Sequence, residues 1–155
     1  MKSQLTRRHF IERSALTAAG AYWTGYLLTA RGASPNDKLN LGVIGVAGRG
    51  GDDLKEVSSQ NIVALCDVDD KNLAAAAQKY PSAKTYNDFR RLIDQKDIDA
   101  IVIGTPDHTH AVAAMAALKS GRHVYCEKPL TRTVSEARLV KIGRASCRER
   151  VYVLV

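Results

Sequence analysis

The chain has 155 residues and a formal net charge of +7, enough for one ordinary domain with appendages. That charge is uneven: residues 1–37 and 141–155 each carry net +3, whereas residues 38–140 carry only +1. With no basic stripe interleaved with aromatics in the middle stretch, nucleic acid is not an expected partner, and three cysteines do not make a disulfide framework.

In chain order, Thr6-Arg7-Arg8-His9-Phe10-Ile11 has the twin-arginine form, and a moderately apolar stretch follows over residues 15–30. A basic region, an apolar region and then Arg31-Gly32-Ala33-Ser34-Pro35 read as an export signal over residues 1–34. The apolar part is short and rich in Ala, Thr and Gly, which disfavours a stable membrane span. Both Leu28-Thr29-Ala30 and Arg31-Gly32-Ala33 are imperfect cleavage sites, so the segment is either removed or kept as an anchor; the alternative is an amphipathic helix.

After the linker Pro35-Asn36-Asp37, residues 39–44 form an apolar run that breaks into Gly45-Val46-Ala47-Gly48-Arg49-Gly50-Gly51. Near-continuous apolar residues suit a parallel strand covered on both faces. The glycines permit a tight turn and let bare backbone approach a pyrophosphate at the next helix N-terminus. The dinucleotide fingerprint is Gly45-x-Ala47-x-x-Gly50, with Ala47 where a second glycine is usual and Gly48 beside it. An ordinary glycine-rich loop would read the same, so the context decides.

A helix is expected over residues 52–59, with Leu54 and Val57 facing a sheet. Asn61-Ile62-Val63-Ala64-Leu65-Cys66-Asp67 is a second strand, and Asp67 lies 22 residues after Gly45. That is where a carboxylate accepts hydrogen bonds from an adenosine ribose, and it would repel a 2′-phosphate, favouring NAD over NADP. The alternative, a cap for the next helix, falls better to Asp69 or Asp70. Residues 70–79 are a helix by propensity, ended at Tyr80-Pro81. A short strand over 83–86 and a short helix over 88–93, with Phe89, Leu92 and Ile93 inward, come next.

Residues 100–103 are a buried strand ending at Gly104-Thr105-Pro106-Asp107-His108-Thr109-His110, and 111–118 an alanine-rich helix that Asp107 can cap. His123-Val124-Tyr125-Cys126 is another strand, leading to Glu127-Lys128-Pro129, and Thr133-Val134-Ser135-Glu136 is a capping box. Strands alternating with helices mean right-handed crossovers and a doubly wound parallel sheet. Cys66 and Cys126 would then sit three strands apart, roughly 14 Å at about 4.8 Å per step, beyond the ~7 Å a disulfide allows.

Ligands of such sheets bind beyond the carboxyl ends of the strands. The glycine turn, Asp67, the 105–110 loop and Glu127-Lys128-Pro129 all fall there. His108 and His110 lack a partner at zinc spacing, so no metal is expected; a helix-capping or cofactor-lining role is, particularly for His110 at the start of the alanine-rich helix. Lys128 can place an ammonium by a nicotinamide and a substrate hydroxyl, where it assists proton transfer; the alternative is a solvated loop lysine. Pro129 fixes the backbone beside it, and a cis bond is an option there.

Residues 38–140 resemble the NAD-binding half of the Gfo/Idh/MocA oxidoreductases. The resemblance is carried by Gly45-Val46-Ala47-Gly48-Arg49-Gly50, Ala64-Leu65-Cys66-Asp67-Val68-Asp69, Thr105-Pro106-Asp107-His108-Thr109-His110 and Glu127-Lys128-Pro129-Leu130. It implies a Rossmann-type fold in which the glycine turn, Arg49 included, holds the pyrophosphate and Asp67 the adenosine ribose. It also implies that Thr105, Pro106 and His110 line NAD with Pro129 near them, that Glu127 lies by the nicotinamide ribose, and that Lys128 is the active-site lysine. The family pattern continues into a second, substrate-binding domain that also carries most oligomer contacts and is absent from this chain. Residues 141–155 instead read like translated adapter sequence, so residues 35–140 are expected to form an incomplete nucleotide-binding domain and 141–155 a non-native tail. The alternative is a natural strand over 151–155.

The function implied is an NAD-dependent oxidoreductase of a sugar or polyol CH–OH group, exported to the periplasm through the twin-arginine machinery and homo-oligomeric at full length. A fragment without the substrate wall would turn over little. Two alternatives stand beside it: an NAD-dependent glycoside hydrolase that works by transient oxidation, and a non-catalytic NAD- or sugar-binding module.

Overall fold

The computed structural model describes residues 38–147 and 151–153; the expected export segment lies outside them. The strands are β1 (Asn40–Ile44), β2 (Asn61–Cys66), β3 (Lys84–Tyr86), β4 (Ala100–Ile103), β5 (His123–Cys126) and β6 (Val151–Val153). All pair in parallel, in the order β3-β2-β1-β4-β5-β6. From β1 at the centre the backbone winds out to β3, returns beside β1 at β4 and winds outward the other way. The strand order therefore reverses between β1 and β4, where a crevice opens.

The helices are α1 (Arg49–Glu56), α2 (Asp70–Lys79), α3 (Phe89–Ile93), α4 (Asp107–Lys119) and α5 (Val134–Cys147). Alternate side chains of each strand serve opposite faces. Leu41, Val43, Leu65 and Val102 pack with Leu54 of α1 and with Leu73 and Ala76 of α2. Ile44, Ala64, Ile101, Ile103 and Val124 pack with Leu92 of α3, Ala114 and Leu118 of α4 and Val140 of α5. Burial on both faces explains why the central strands read as unbroken apolar runs.

The parallel α/β sheet expected from the sequence is present, with several boundaries moved. α1 begins at Arg49, three residues before the expected start, because the glycine turn feeds directly into it. α4 begins at Asp107, four residues early, with Pro106 at its N-cap position; Asp107 lies inside the first turn and is not the cap. α5 runs through Cys147 and β6 pairs with β5. Cys66 and Cys126 are buried free thiols, three strands apart in the sheet, and burial pushes both up to about 12.

Candidate functional site

The carboxyl ends of β1 and β4 meet at three glycines. Gly45 takes φ +86°, and a Cβ there would lie 2.8 Å from the Gly104 carbonyl. A Cβ on Gly50 would lie 2.3 Å from the Gly45 oxygen, and one on Gly104 would lie 2.4 Å from the Gly50 Cα. Real Cβ atoms do not approach so closely, so α1 crosses the strand ends on bare backbone. The Gly45 amide donates to Cys66 O at 2.8 Å and the Gly104 amide to Ile44 O at 2.9 Å, continuing the sheet pairing into the turn. Gly48, at the N-cap position of α1, offers no side-chain cap. The first amides of the helix are thus available to an anion, which the helix dipole also favours.

Asp67 closes the turn from the β2 side. Its Oδ2 accepts from the Val46 amide at 3.0 Å and its Oδ1 from the Asp69 amide at 3.0 Å. An ionised carboxylate has about four acceptor positions, so roughly two remain for other donors. Capping of α2 falls to Asp69, whose side chain accepts from the Lys71 amide at 2.8 Å. The cap expected of Asp69 or Asp70 is thus made by Asp69.

Between these groups lies a largely apolar cavity of about 560 Å³. Gly45, Ala47, Asp67, Thr105, Pro106, His108 and Phe89 are among its walls. Thr105 and Pro106 thus share a wall with the glycine turn and Asp67, and Ala47 is accommodated at its rim. A cradle of bare glycine backbone, an uncapped helix start and a carboxylate with spare acceptor positions fit the pyrophosphate and adenosine ribose of NAD.

His110 is not on that wall. It is 1% exposed, with Nδ1 2.7 Å from Pro129 O and Nε2 2.6 Å from Thr105 O. It joins the two loops from below, because position 110 of α4 shares the inward stripe with Ala113, Ala114 and Ala117. The sequence expectation of a cofactor-lining His110 gives way to a residue that ties loops together. His108, two residues earlier, is exposed on the cavity wall.

Beyond β5, Glu127 is buried and Lys128 and Pro129 are exposed, with a cis Lys128–Pro129 bond. Glu127 Oε2 accepts from the Lys128 amide at 3.0 Å, and Oε1 takes the Arg49 Nε–H. Arg49 therefore connects the glycine turn to the loop after β5, and its contact with Glu127 holds the guanidinium above its ordinary value. The Lys128 side chain has no partner among the described residues. The sequence reading missed Asp53, a fully buried carboxyl on α1 whose Oδ1 lies 3.4 Å from Arg49 Nη2. Helical spacing was the available signal: positions 50, 53, 54 and 57 share one face of α1, and the apolar ones point at the sheet.

Comparison with known proteins extends these findings. Residues 39–152 match the model of the oxidoreductase family, NAD-binding Rossmann fold, designated Gfo/Idh/MocA. The chain is 37% identical over 107 residues to inositol 2-dehydrogenase of Salmonella typhimurium, covering 66% of this chain and 32% of the relative. It is 34% identical over 168 residues to a glycosyl hydrolase family 109 protein of Solibacter usitatus, covering 96% of this chain and 38% of the relative. Among solved structures, a probable dehydrogenase from Thermotoga maritima superposes with a TM-score of 0.70 at 26% identity, over 74% of this chain and 35% of that one. The chain spans about a third of the length of the curated relatives it matches.

Proposed function

The chain belongs to the Gfo/Idh/MocA oxidoreductase family, with its NAD-binding Rossmann fold, and from that premise we propose that it holds NAD for oxidation or reduction of a sugar or polyol CH–OH group. One observation carries the proposal. Bare glycine backbone, the Asp67 carboxylate and the apolar Thr105–Pro106 wall enclose one cavity, with Glu127 tied to the same turn through Arg49.

When bound, NAD supplies the hydride acceptor or donor. The α1 amides would face its pyrophosphate, and the spare acceptor positions of Asp67 would take its adenosine ribose hydroxyls. Thr105 and Pro106 would exclude water from one side of the dinucleotide, and Glu127 would accept from the nicotinamide ribose. Lys128, exposed and with no side-chain partner among the described residues, holds or moves the proton at the substrate hydroxyl oxygen. Positioning of this kind accounts for much of catalysis between two bound reactants. The test is turnover of sugars and polyols with NAD⁺ by the full-length protein and by its Lys128→Ala variant. The proposal expects a loss of about 100-fold or more in kcat with NAD⁺ affinity nearly unchanged; an unchanged rate removes Lys128 from the reaction.

A second reading, a glycoside hydrolase that oxidises its sugar transiently, is favoured by the Solibacter relative, whose similarity runs over 96% of this chain. Release of free sugar without accumulation of NADH selects that reading, and NADH in step with substrate selects the first. We further propose that residues 1–34 direct export by the twin-arginine route, that the protein is periplasmic, and that the enzyme works as a homo-oligomer. Export of a reporter fused to residues 1–34, abolished by Arg7→Lys with Arg8→Lys, tests the first two; light scattering tests the third.

A further inference from the structure

Under the glycine turn lies a pair of carboxyls that none of these roles explains. Asp53 is 1% exposed, and neither of its oxygens receives a hydrogen bond from an N–H or O–H group among the described residues. Arg49 approaches Oδ1 at 3.4 Å but directs its Nε–H to Glu127. The Glu127 carboxyl, 6% exposed, sits on the same guanidinium as Asp53, its Oε1 taking the Arg49 Nε–H while Arg49 Nη2 lies beside Asp53 Oδ1. Two ionised carboxylates offer each other only acceptors, and in a water-poor site they repel. A single proton between them turns that contact into a hydrogen bond and leaves Arg49 balanced by one negative charge.

We propose that Asp53 is a positioning residue: it shares a proton with Glu127 and so locks the glycine turn to the Glu127–Lys128 loop in the arrangement that receives the dinucleotide. The inference rests on the NAD-binding reading above and adds a residue and a protonation state to it. The lock spans three elements. Asp53 hangs from α1, Glu127 follows β5, and the Asp53 Oδ2 lies against the Gly104 backbone after β4, where even a methyl group would come within 3.0 Å.

Burial first, and then the Glu127 charge, push the Asp53 carboxyl up to about 6. Burial also presses Glu127 upward, but Arg49 and the Lys128 amide outweigh it and hold Glu127 below its usual range. The two titrate as a pair. The charged and titratable groups facing Asp53 are Arg49 and Glu56 on α1, Tyr125 and Cys126 on β5, and Glu127. Loss of the shared proton takes Arg49, Asp53 and Glu127 together from neutral to one net negative charge, close to where a diphosphate is to be bound.

The test has two readouts. Isotope-edited infrared spectra of the protein without ligand should show a protonated carboxyl at pH 5 that disappears by pH 8. The band should be absent at pH 5 in Asp53→Asn, and in Glu127→Gln, which removes the facing charge but not the burial, its disappearance should move to lower pH. Calorimetric titration with NAD⁺ should then show affinity weakening about five- to tenfold from pH 5 to pH 8 in the wild type. Asp53→Asn, a neutral mimic of the protonated acid, should stay nearly flat across that range, and Asp53→Leu should bind weakly throughout. No protonated carboxyl band at pH 5, or the same band in Asp53→Asn, overturns the inference whatever NAD⁺ does. A pH dependence of affinity identical in wild type and Asp53→Asn overturns the link to the cofactor. Failure of the wild type to bind NAD⁺ at any pH, with the band present, would instead strike the NAD-binding reading and leave only the shared proton standing.

Discussion

At the scale of single residues, the site depends on atoms that are missing as much as on those present. Gly50 leaves no room for a methyl group beside the Gly45 carbonyl, at 2.3 Å. Gly50→Ala should therefore lower stability by about 1–3 kcal/mol through forced backbone movement, read by denaturant unfolding. His110 is the converse, a full side chain in a fitted slot between Thr105 O and Pro129 O. Its replacement by Ala leaves a cavity and removes the ring that bridges the two carbonyls, and about 2–4 kcal/mol of stability should go with it. Asp53 has a pH signature. A carboxyl raised from 3.8 to about 6 in the folded protein binds its proton more tightly folded than unfolded. That contribution is complete below about 3.8 and is lost as pH rises through about 6. The stability of the wild type relative to Asp53→Asn should thus fall by roughly 1–2 kcal/mol between pH 4 and pH 7.5, and an upward trend over that window would contradict the assignment.

At the scale of elements, the sequence was most legible where burial on both sides leaves an unbroken apolar run, as in β1, β2 and β4. It was legible too where a cap has its own chemistry. Thr133 Oγ1 accepts from the Glu136 amide at 3.2 Å, and Glu136 Oε2 accepts from the Thr133 amide at 2.9 Å, closing the box at the start of α5. Thr133→Ala should cost about 1 kcal/mol in thermal or denaturant unfolding. Legibility failed where polar residues hide inside a helix. The first turn of α4, Asp107-His108-Thr109, looks like loop, yet Pro106 at its N-cap position lets the helix start at once. The same masking concealed Asp53 and misassigned His110: a lone polar residue on an otherwise apolar face announces burial only when its helical register is followed.

At the scale of the whole molecule, the sheet gathers four stretches onto one rim, the outermost, Gly45 and Glu127, 82 residues apart. Gly45, Asp67 and Thr105 meet in one cavity, and Glu127 is joined to them by Arg49. The strand order that does this follows from the backbone winding both ways from β1 at the centre, which the alternation of strands and helices foretold. The sequence could not convey the bridging of the rim by Arg49 and Asp53, because it pairs side chains about 75 residues apart with no local pattern to mark them. The most direct test of the central claim is calorimetric titration of the protein with NAD⁺ and NADP⁺, alongside Asp67→Ala. Saturable uptake of one NAD⁺ per chain is expected, tighter than NADP⁺ and weakened about tenfold or more by Asp67→Ala. Absence of NAD⁺ uptake, or uptake that ignores both the 2′-phosphate and Asp67, would contradict the account.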